Sequence, residues 1–181
     1  MLVLDTGARA PDYFPCRYGA SKSLVRGPGR DLSRPYVAML GGSPTFGKYV
    51  DRPYPALVET ALGLPVANLG GLNAGPDFYL SDPGLLDIAA GARAAVVQVT
   101  GAESLSNPFY SVHGRRNDRF LAATPALRTL FPRVDLAEIH FTRHLLQVLE
   151  RHDVEGFGKV VQGLKQNWLA KMRRLLGALP A

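Results

Sequence analysis

Short apolar runs that end close to glycines alternate with helical patterns in the first half of the chain. Apolar residues fill positions 36–40 and stop at a Gly-Gly pair, which is typical of a buried strand. A second run covers residues 65–69 and a third covers residues 94–100. The third run is almost continuously apolar, so it predicts a strand that is buried on both faces.

Two helical patterns separate these runs. The first begins at Pro53 and Pro55, which suit the first turn of a helix, and stops at Gly63. The second carries its apolar residues on one side, at Leu85, Leu86, Ile88 and Ala89. An order of strand, helix, strand, helix, strand predicts a parallel sheet with right-handed crossovers.

Beyond Thr100 the pattern predicts helices. Asp135 is expected to cap a helix that includes His140 and His144, and a last helix follows between Val160 and Leu176. The predicted fold is therefore α/β, with a small parallel three-layer sheet core of flavodoxin-like type and two long C-terminal helices. Residues 1–34 show no sustained period and are expected to form an irregular segment before a single domain at 35–181.

Composition narrows the class of protein. The chain has 181 residues, of which 46% are hydrophobic and 20% charged, as in a globular domain. No apolar run approaches the roughly 18 residues that span a bilayer, so no membrane association is expected. The single Cys16 and a start without signal-peptide features indicate the cytoplasm. We predict no metal site, because His140 and His144 lack the glutamate of a His-Glu-x-x-His site. No cofactor is expected either.

The net charge of +6 raises the question of a nucleic-acid ligand. Most basic residues are scattered, and no aromatic-interleaved basic strand or recognition helix accompanies them, so no nucleic-acid partner is expected. Arg115 and Arg116 form one of two tight basic groups. Arginine side chains match the geometry of carboxylate, sulfate and phosphate, which makes these two candidates for holding an anionic ligand.

The candidate chemistry lies in the turn at residues 41–47. Ser43 follows the carboxyl end of the first strand, where open α/β sheets place their catalytic groups. Glycines before Ser43 permit a tight turn, and Gly47 closes it.

The same turn has a less favoured interpretation as a phosphate loop, since residues 42–48 fit the pattern G-x-x-x-x-G-K. Three features disfavour it. Tyr49 stands where a magnesium-binding hydroxyl belongs, Pro44 and Phe46 add bulk to the loop, and the third strand ends without an acidic residue.

The runs YVAMLGGSPTFGKYV, PYPALVETALG and PVANLGGLNAG resemble the opening blocks of the SGNH (GDSL-type) hydrolases over residues 36–101. The resemblance implies that Ser43 is the nucleophile and that its own amide helps to bind the oxyanion. A second amide would come from Gly70 or Gly75, although strict spacing from Asn68 places Asn73 there. The family's asparagine donor is replaced by Glu103, and Asn107 is the candidate substitute.

One departure from the family concerns the catalytic base. The family's Asp-x-x-His block is missing, which leaves His140 or His144 as the default base. Two functions follow: an esterase or carbohydrate O-deacylase acting on a small-molecule or carbohydrate ester, or an inactive module that binds an anionic or sugar ligand. An imidazole nitrogen within hydrogen-bond distance of the Ser43 hydroxyl would favour the enzyme. The chain as a whole, including RYGASKSLVRGP and HFTRHLL, also resembles an uncharacterised bacterial family.

Overall fold

A three-stranded parallel sheet forms the centre of the fold. The structure, a computed structural model, describes residues 11–180. Its strands are β1 (Val37–Leu40), β2 (Val66–Asn68) and β3 (Ala94–Val97), in the order β2-β1-β3. Both pairings are parallel, with Val37 of β1 opposite Val66 and Ala94. The predicted α/β class and the parallel core are confirmed.

Helices cover both faces of this sheet, which gives the predicted three layers. After β1 come α1 (Ser43–Phe46) and α2 (Tyr54–Leu62), and after β2 come α3 (Pro76–Leu80) and α4 (Pro83–Ala90). As predicted, α2 begins after Pro53 and ends at Gly63, whose φ of 64° lies in the left-handed region. Val58 of α2 packs on one face of the sheet, against Val37, Met39 and Val66.

The opposite face holds the larger core. Side chains of β1 and β2 that alternate with those under α2 point here, and Leu85 of α4 packs among them. The long C-terminal helix α7 (Val154–Leu176) adds Met172 and Leu175. Tyr18 and Val25 join the same cluster, so part of the segment before β1 packs onto the domain. The first ten residues of the predicted irregular segment lie outside the described residues.

The region after β3 differs from the prediction. It contains an antiparallel hairpin of β4 (Tyr110–His113) and β5 (Arg116–Ala123), where a purely helical region was expected. Next come α5 (Pro125–Leu130) and α6 (Thr142–His152). These elements enclose a second core cluster with the first half of α7, which contributes Val160 and Leu164.

The predicted helix from Asp135 through His144 is wrong in its first half. Asp135 accepts a hydrogen bond from the amide of Ala137 at 2.9 Å, but only a turn follows it. Phe141 has extended backbone angles and precedes the first residue of α6. His140 therefore lies outside the helix that carries His144, because residues 139–141 run beside β5.

The prediction for the third apolar run is also wrong in one respect. β3 forms the edge of the sheet and is not buried on both faces: Val96 is 45% exposed. Its other face, with Ala95 and Val97, packs on the larger core. Within residues 11–180, none of the helices combines the length and apolar character that crossing a bilayer requires.

Candidate functional site at the Ser43 turn

Ser43 is placed by the abrupt end of β1. Gly41 and Gly42 lead directly into the single-turn helix α1, of which Ser43 is the first residue. The buried hydroxyl of Tyr79 accepts a hydrogen bond from the Gly41 amide at 2.6 Å and contacts the Gly41 carbonyl oxygen at 2.8 Å. Burial raises the pKa of Tyr79 well above its usual value, so this hydroxyl stays neutral and serves as both donor and acceptor. These contacts with Tyr79 fix the position of Gly41, where the turn begins.

Further hydrogen bonds hold the rest of the turn. Gln98, just after β3, accepts through Oε1 from the Gly42 amide at 3.1 Å and from the Thr45 hydroxyl at 2.8 Å. The side chain of Asn68, at the end of β2, donates to the Thr45 carbonyl oxygen at 2.9 Å. All three parallel strands therefore help to position Ser43.

Ser43 and Asn73 form a reciprocal pair. The Ser43 hydroxyl donates to Asn73 Oδ1 at 2.8 Å, and the Asn73 amide donates to Ser43 Oγ at 3.0 Å. Asn73 has a φ of 54°, a left-handed conformation that asparagine adopts more readily than most residues. This conformation turns the Asn73 amide towards Ser43.

The two glycines considered as oxyanion donors are engaged elsewhere. The Gly70 amide donates to Asn68 Oδ1 at 3.0 Å, and the Gly75 amide donates to Asn117 Oδ1 at 2.6 Å. Of the three candidate oxyanion donors in this loop, Gly70, Asn73 and Gly75, Asn73 is the one whose backbone amide donates to Ser43. Gly70 has a packing role, because a Cβ atom there would collide with the backbone of Phe46.

Asn117 is a positioning residue that is not among the predicted site residues. Its side chain is fully buried, accepts from Gly75 and donates to the His113 carbonyl oxygen at 2.9 Å. Its amide donates to the Asn73 carbonyl oxygen at 3.1 Å. Asn117 therefore ties the β4–β5 hairpin to the loop that faces Ser43. The Asn-Asp pair at 117–118 is the one signal in the sequence that could have pointed to it.

The histidines do not reach Ser43. Among the hydrogen bonds of residues 11–180, the Ser43 hydroxyl is joined to Asn73 and to no imidazole. His144 is exposed on α6, and His140 lies beside the hairpin with His113, Arg116 and Arg119. The structure does not bring the predicted base and nucleophile together.

Among residues 11–180, Asn107 and Glu103 also form no hydrogen bond with the turn at residues 41–47. The side-chain amide of Asn107 donates through Nδ2 to the Leu105 carbonyl oxygen at 2.8 Å. Its Oδ1 accepts from the backbone amides of Phe109 and Tyr110. Asn107 thus shapes the entry to β4. The carbonyl oxygen of Glu103 accepts from the Tyr110 hydroxyl at 2.8 Å.

Arg115 and Arg116 stand at a groove next to the Ser43 turn, as an anion-binding role requires. The groove has a volume of about 400 Å³. Its apolar lining comes from the turn itself, from the chain after β2 and from the segment before β1: Phe46, Leu72, Phe78, Leu24 and Val25. Arg17 and Lys22 add two further cationic side chains. The groove is therefore lined by apolar side chains together with four positively charged ones.

In the part of the chain that the structure describes, no cluster of three or more His, Cys, Asp or Glu side chains is arranged to hold a metal ion. A family model described as "Domain of unknown function (DUF6473)" matches residues 1–181, and the chain belongs to this family. No curated protein and no solved structure shows significant similarity to the chain.

Proposed function

We propose that the chain is an SGNH-like module that binds an anionic or sugar ligand in the groove beside Ser43. The observation that carries this proposal is the groove itself, an apolar cleft lined by four cationic side chains next to a polar serine turn. Its volume lies within the roughly 300–1,000 Å³ typical of ligand pockets. An acidic sugar offers both an apolar ring face and a carboxylate, which suits this lining.

The hydrogen bonding of Ser43 supports binding over catalysis. Its hydroxyl is paired with Asn73, and a serine without an adjacent base is a weak nucleophile. Arg115 and Arg116 would hold the carboxylate by charge-assisted hydrogen bonds.

The direct test is calorimetry with oligogalacturonate as the acidic ligand and the corresponding neutral galactose oligomer as its control. We expect the acidic ligand to bind more tightly, and Arg115→Gln to weaken its binding about tenfold, as loss of one charge-assisted hydrogen bond would. Arg93→Gln removes an exposed arginine that does not line the groove, so it should leave the affinity within about twofold. Equal affinities for the acidic and neutral ligands would contradict the proposal.

A second candidate is hydrolysis of an ester, which the position of Ser43 supports, just past the carboxyl end of β1 and in the first turn of α1. Ser43 Oγ would attack the ester carbonyl and form an acyl-serine while its proton leaves with the departing alcohol, and water would then release the acid and restore Ser43. Among residues 11–180 no imidazole is hydrogen-bonded to Ser43, so this route has no positioned base. A fluorophosphonate probe separates the two functions. We expect no labelling of Ser43; labelling that Ser43→Ala abolishes would establish an activated nucleophile and replace the binding module with an enzyme.

A further inference from the structure

A second concavity, distinct from the groove, lies on the outer side of the hairpin and next to the segment before α6. Four basic side chains line it: His113, Arg116, Arg119 and His140. The remaining lining residues are Phe120 and Leu121, so no carboxylate contributes. Its volume is about 520 Å³, which is again the size of a small-molecule pocket.

The arginines of this concavity are not neutralised by a carboxylate, as two of the partly buried cations in the protein are. Arg30 pairs with Glu59 at 2.7 Å, and Lys171 pairs with Asp77 at 2.6 Å. Within residues 11–180, no ion pair involves Arg116 or Arg119. Two guanidinium groups that share a concavity without an anion repel each other, and a bound anion would remove that repulsion.

Residue 140 is held by a backbone hydrogen bond, and the Arg119 side chain is held by an aromatic ring. The Phe120 amide donates to the His140 carbonyl oxygen at 3.1 Å, which fixes residue 140 beside β5. The guanidinium of Arg119 lies over the ring of Phe141, 4.4 Å from its centre. Such stacking restricts the side chain without using its hydrogen-bond donors.

His113 presents a defined donor. Its Nδ1 accepts hydrogen bonds from the amides of Arg115 and Arg116, both at 3.2 Å. An imidazole nitrogen that accepts is unprotonated, so the ring proton of neutral His113 lies on Nε2. The Nε2–H group is therefore available to a ligand.

We propose that this concavity binds a tetrahedral oxyanion, namely the phosphate or sulfate group of a small organic molecule. Guanidinium and imidazole donors approach it from two strands and from residue 140. Donors arriving from several directions match the three or four oxygens of phosphate or sulfate better than the two coplanar oxygens of a carboxylate. Arg116 also lines the groove beside Ser43, so the two sites adjoin. The inference does not depend on any role of Ser43.

The test is calorimetry with inorganic phosphate, inorganic sulfate and glucose 6-phosphate, with glucose as the uncharged control. We expect all three anions to bind, glucose 6-phosphate most tightly, and glucose not to bind. Arg119→Gln should weaken phosphate binding about tenfold through the loss of a charge-assisted hydrogen bond. Arg116→Gln changes an exposed side chain and should weaken it similarly without disturbing the fold.

Arg133→Gln is the matched control, since Arg133 is exposed and lies outside the concavity. Phosphate binding that falls equally in this variant would reflect net charge alone and would overturn the proposal. No binding at millimolar phosphate, sulfate or glucose 6-phosphate would overturn it as well. Arg119 lines this concavity but not the groove beside Ser43, so Arg119→Gln should weaken phosphate binding and leave oligogalacturonate binding unchanged, which distinguishes a failure of the groove from a failure of this site.

Discussion

Asp82 fastens the segment before β1 to the body of the domain, and its replacement by asparagine gives a quantitative prediction. Asp82 is 5% exposed, and its Oδ2 accepts from the hydroxyls of Ser21 and Ser23 at 3.0 and 2.8 Å. The amides of Lys22 and Ser23 donate to the same oxygen, both at 3.1 Å. Asp82 Oδ1 accepts from the Leu85 amide and caps α4.

The expected cost follows from these contacts. Hydrogen bonds to a charged acceptor contribute about 1.5–3 kcal/mol each, and an N-cap about 1 kcal/mol. An asparagine carbonyl oxygen can keep some of the donors at Oδ2, but its NH₂ group then faces the Leu85 amide, which is also a donor. We therefore expect Asp82→Asn to lower the free energy of unfolding by about 2–3 kcal/mol at pH 7.

The effect should depend on pH in a definite direction. Burial opposes ionisation of Asp82, but the hydrogen bonds from Ser23, Ser21 and the backbone outweigh it and hold its pKa below the usual value. The stabilisation is then complete above the unfolded-state pKa of about 3.9 and declines as the pH falls through the folded-state value. The difference between the wild type and Asp82→Asn should be constant from pH 7 to about 5 and shrink below about 4.

Urea unfolding followed by circular dichroism measures this difference at each pH. Asp87→Asn is the matched control, because Asp87 is an exposed carboxylate on the same helix and should change the free energy by at most about 0.5 kcal/mol. An Asp82→Asn variant as stable as this control at pH 7 would refute the reasoning. So would a difference that persists unchanged well below pH 4.

Two further variants test the packing around the site, each by urea unfolding. Gly70→Ala should destabilise the protein by about 2–4 kcal/mol, because the added Cβ would collide with the backbone of Phe46. Gly114→Ala is the control, since a Cβ atom there meets no other atom, and it should destabilise the protein by less than about 1 kcal/mol. Lys171→Met should lower the free energy of unfolding by about 1–3 kcal/mol, because it leaves the half-buried Asp77 without its cation. Lys165→Met, on the exposed side of α7, should lower it by about 0.5 kcal/mol or less. Equal losses for the two lysines would contradict the ion-pair argument.

The sequence predicted the sheet because its strands carry a simple local signal. β1 and β2 are short apolar runs followed closely by Gly41 and Gly70, and the helix after β1 is bounded by Pro53 and Gly63. The same apolar signal misplaced β3, since Val96 is exposed at the sheet edge. Apolar composition indicates a strand but does not say whether a neighbour covers it.

The hairpin and the site depended on contacts distant in sequence. β5 begins Arg116-Asn117-Asp118-Arg119, which lacks the alternation of a typical strand, so residues 110–123 gave no strand signal. Ser43 was identified as special from its turn, and Asn73 was one of three positions, with Gly70 and Gly75, that the resemblance to SGNH hydrolases left open. The role of Asn117 arises because the hairpin folds back onto Asn73 and Gly75. Asn117 and Gly75 are 42 residues apart in sequence, so no local pattern predicts their contact.

The helix α7 contributes side chains to both core clusters. Its 23 residues extend about 35 Å, with Val160 and Leu164 in the cluster under the hairpin and Met172 and Leu175 in the cluster under the sheet. Between these pairs, Trp168 Nε1 donates to the Thr100 carbonyl oxygen at 2.9 Å. Loss of either cluster would leave half of a continuous helix without its apolar partners. The sheet and the hairpin region are therefore expected to melt in a single transition rather than in succession.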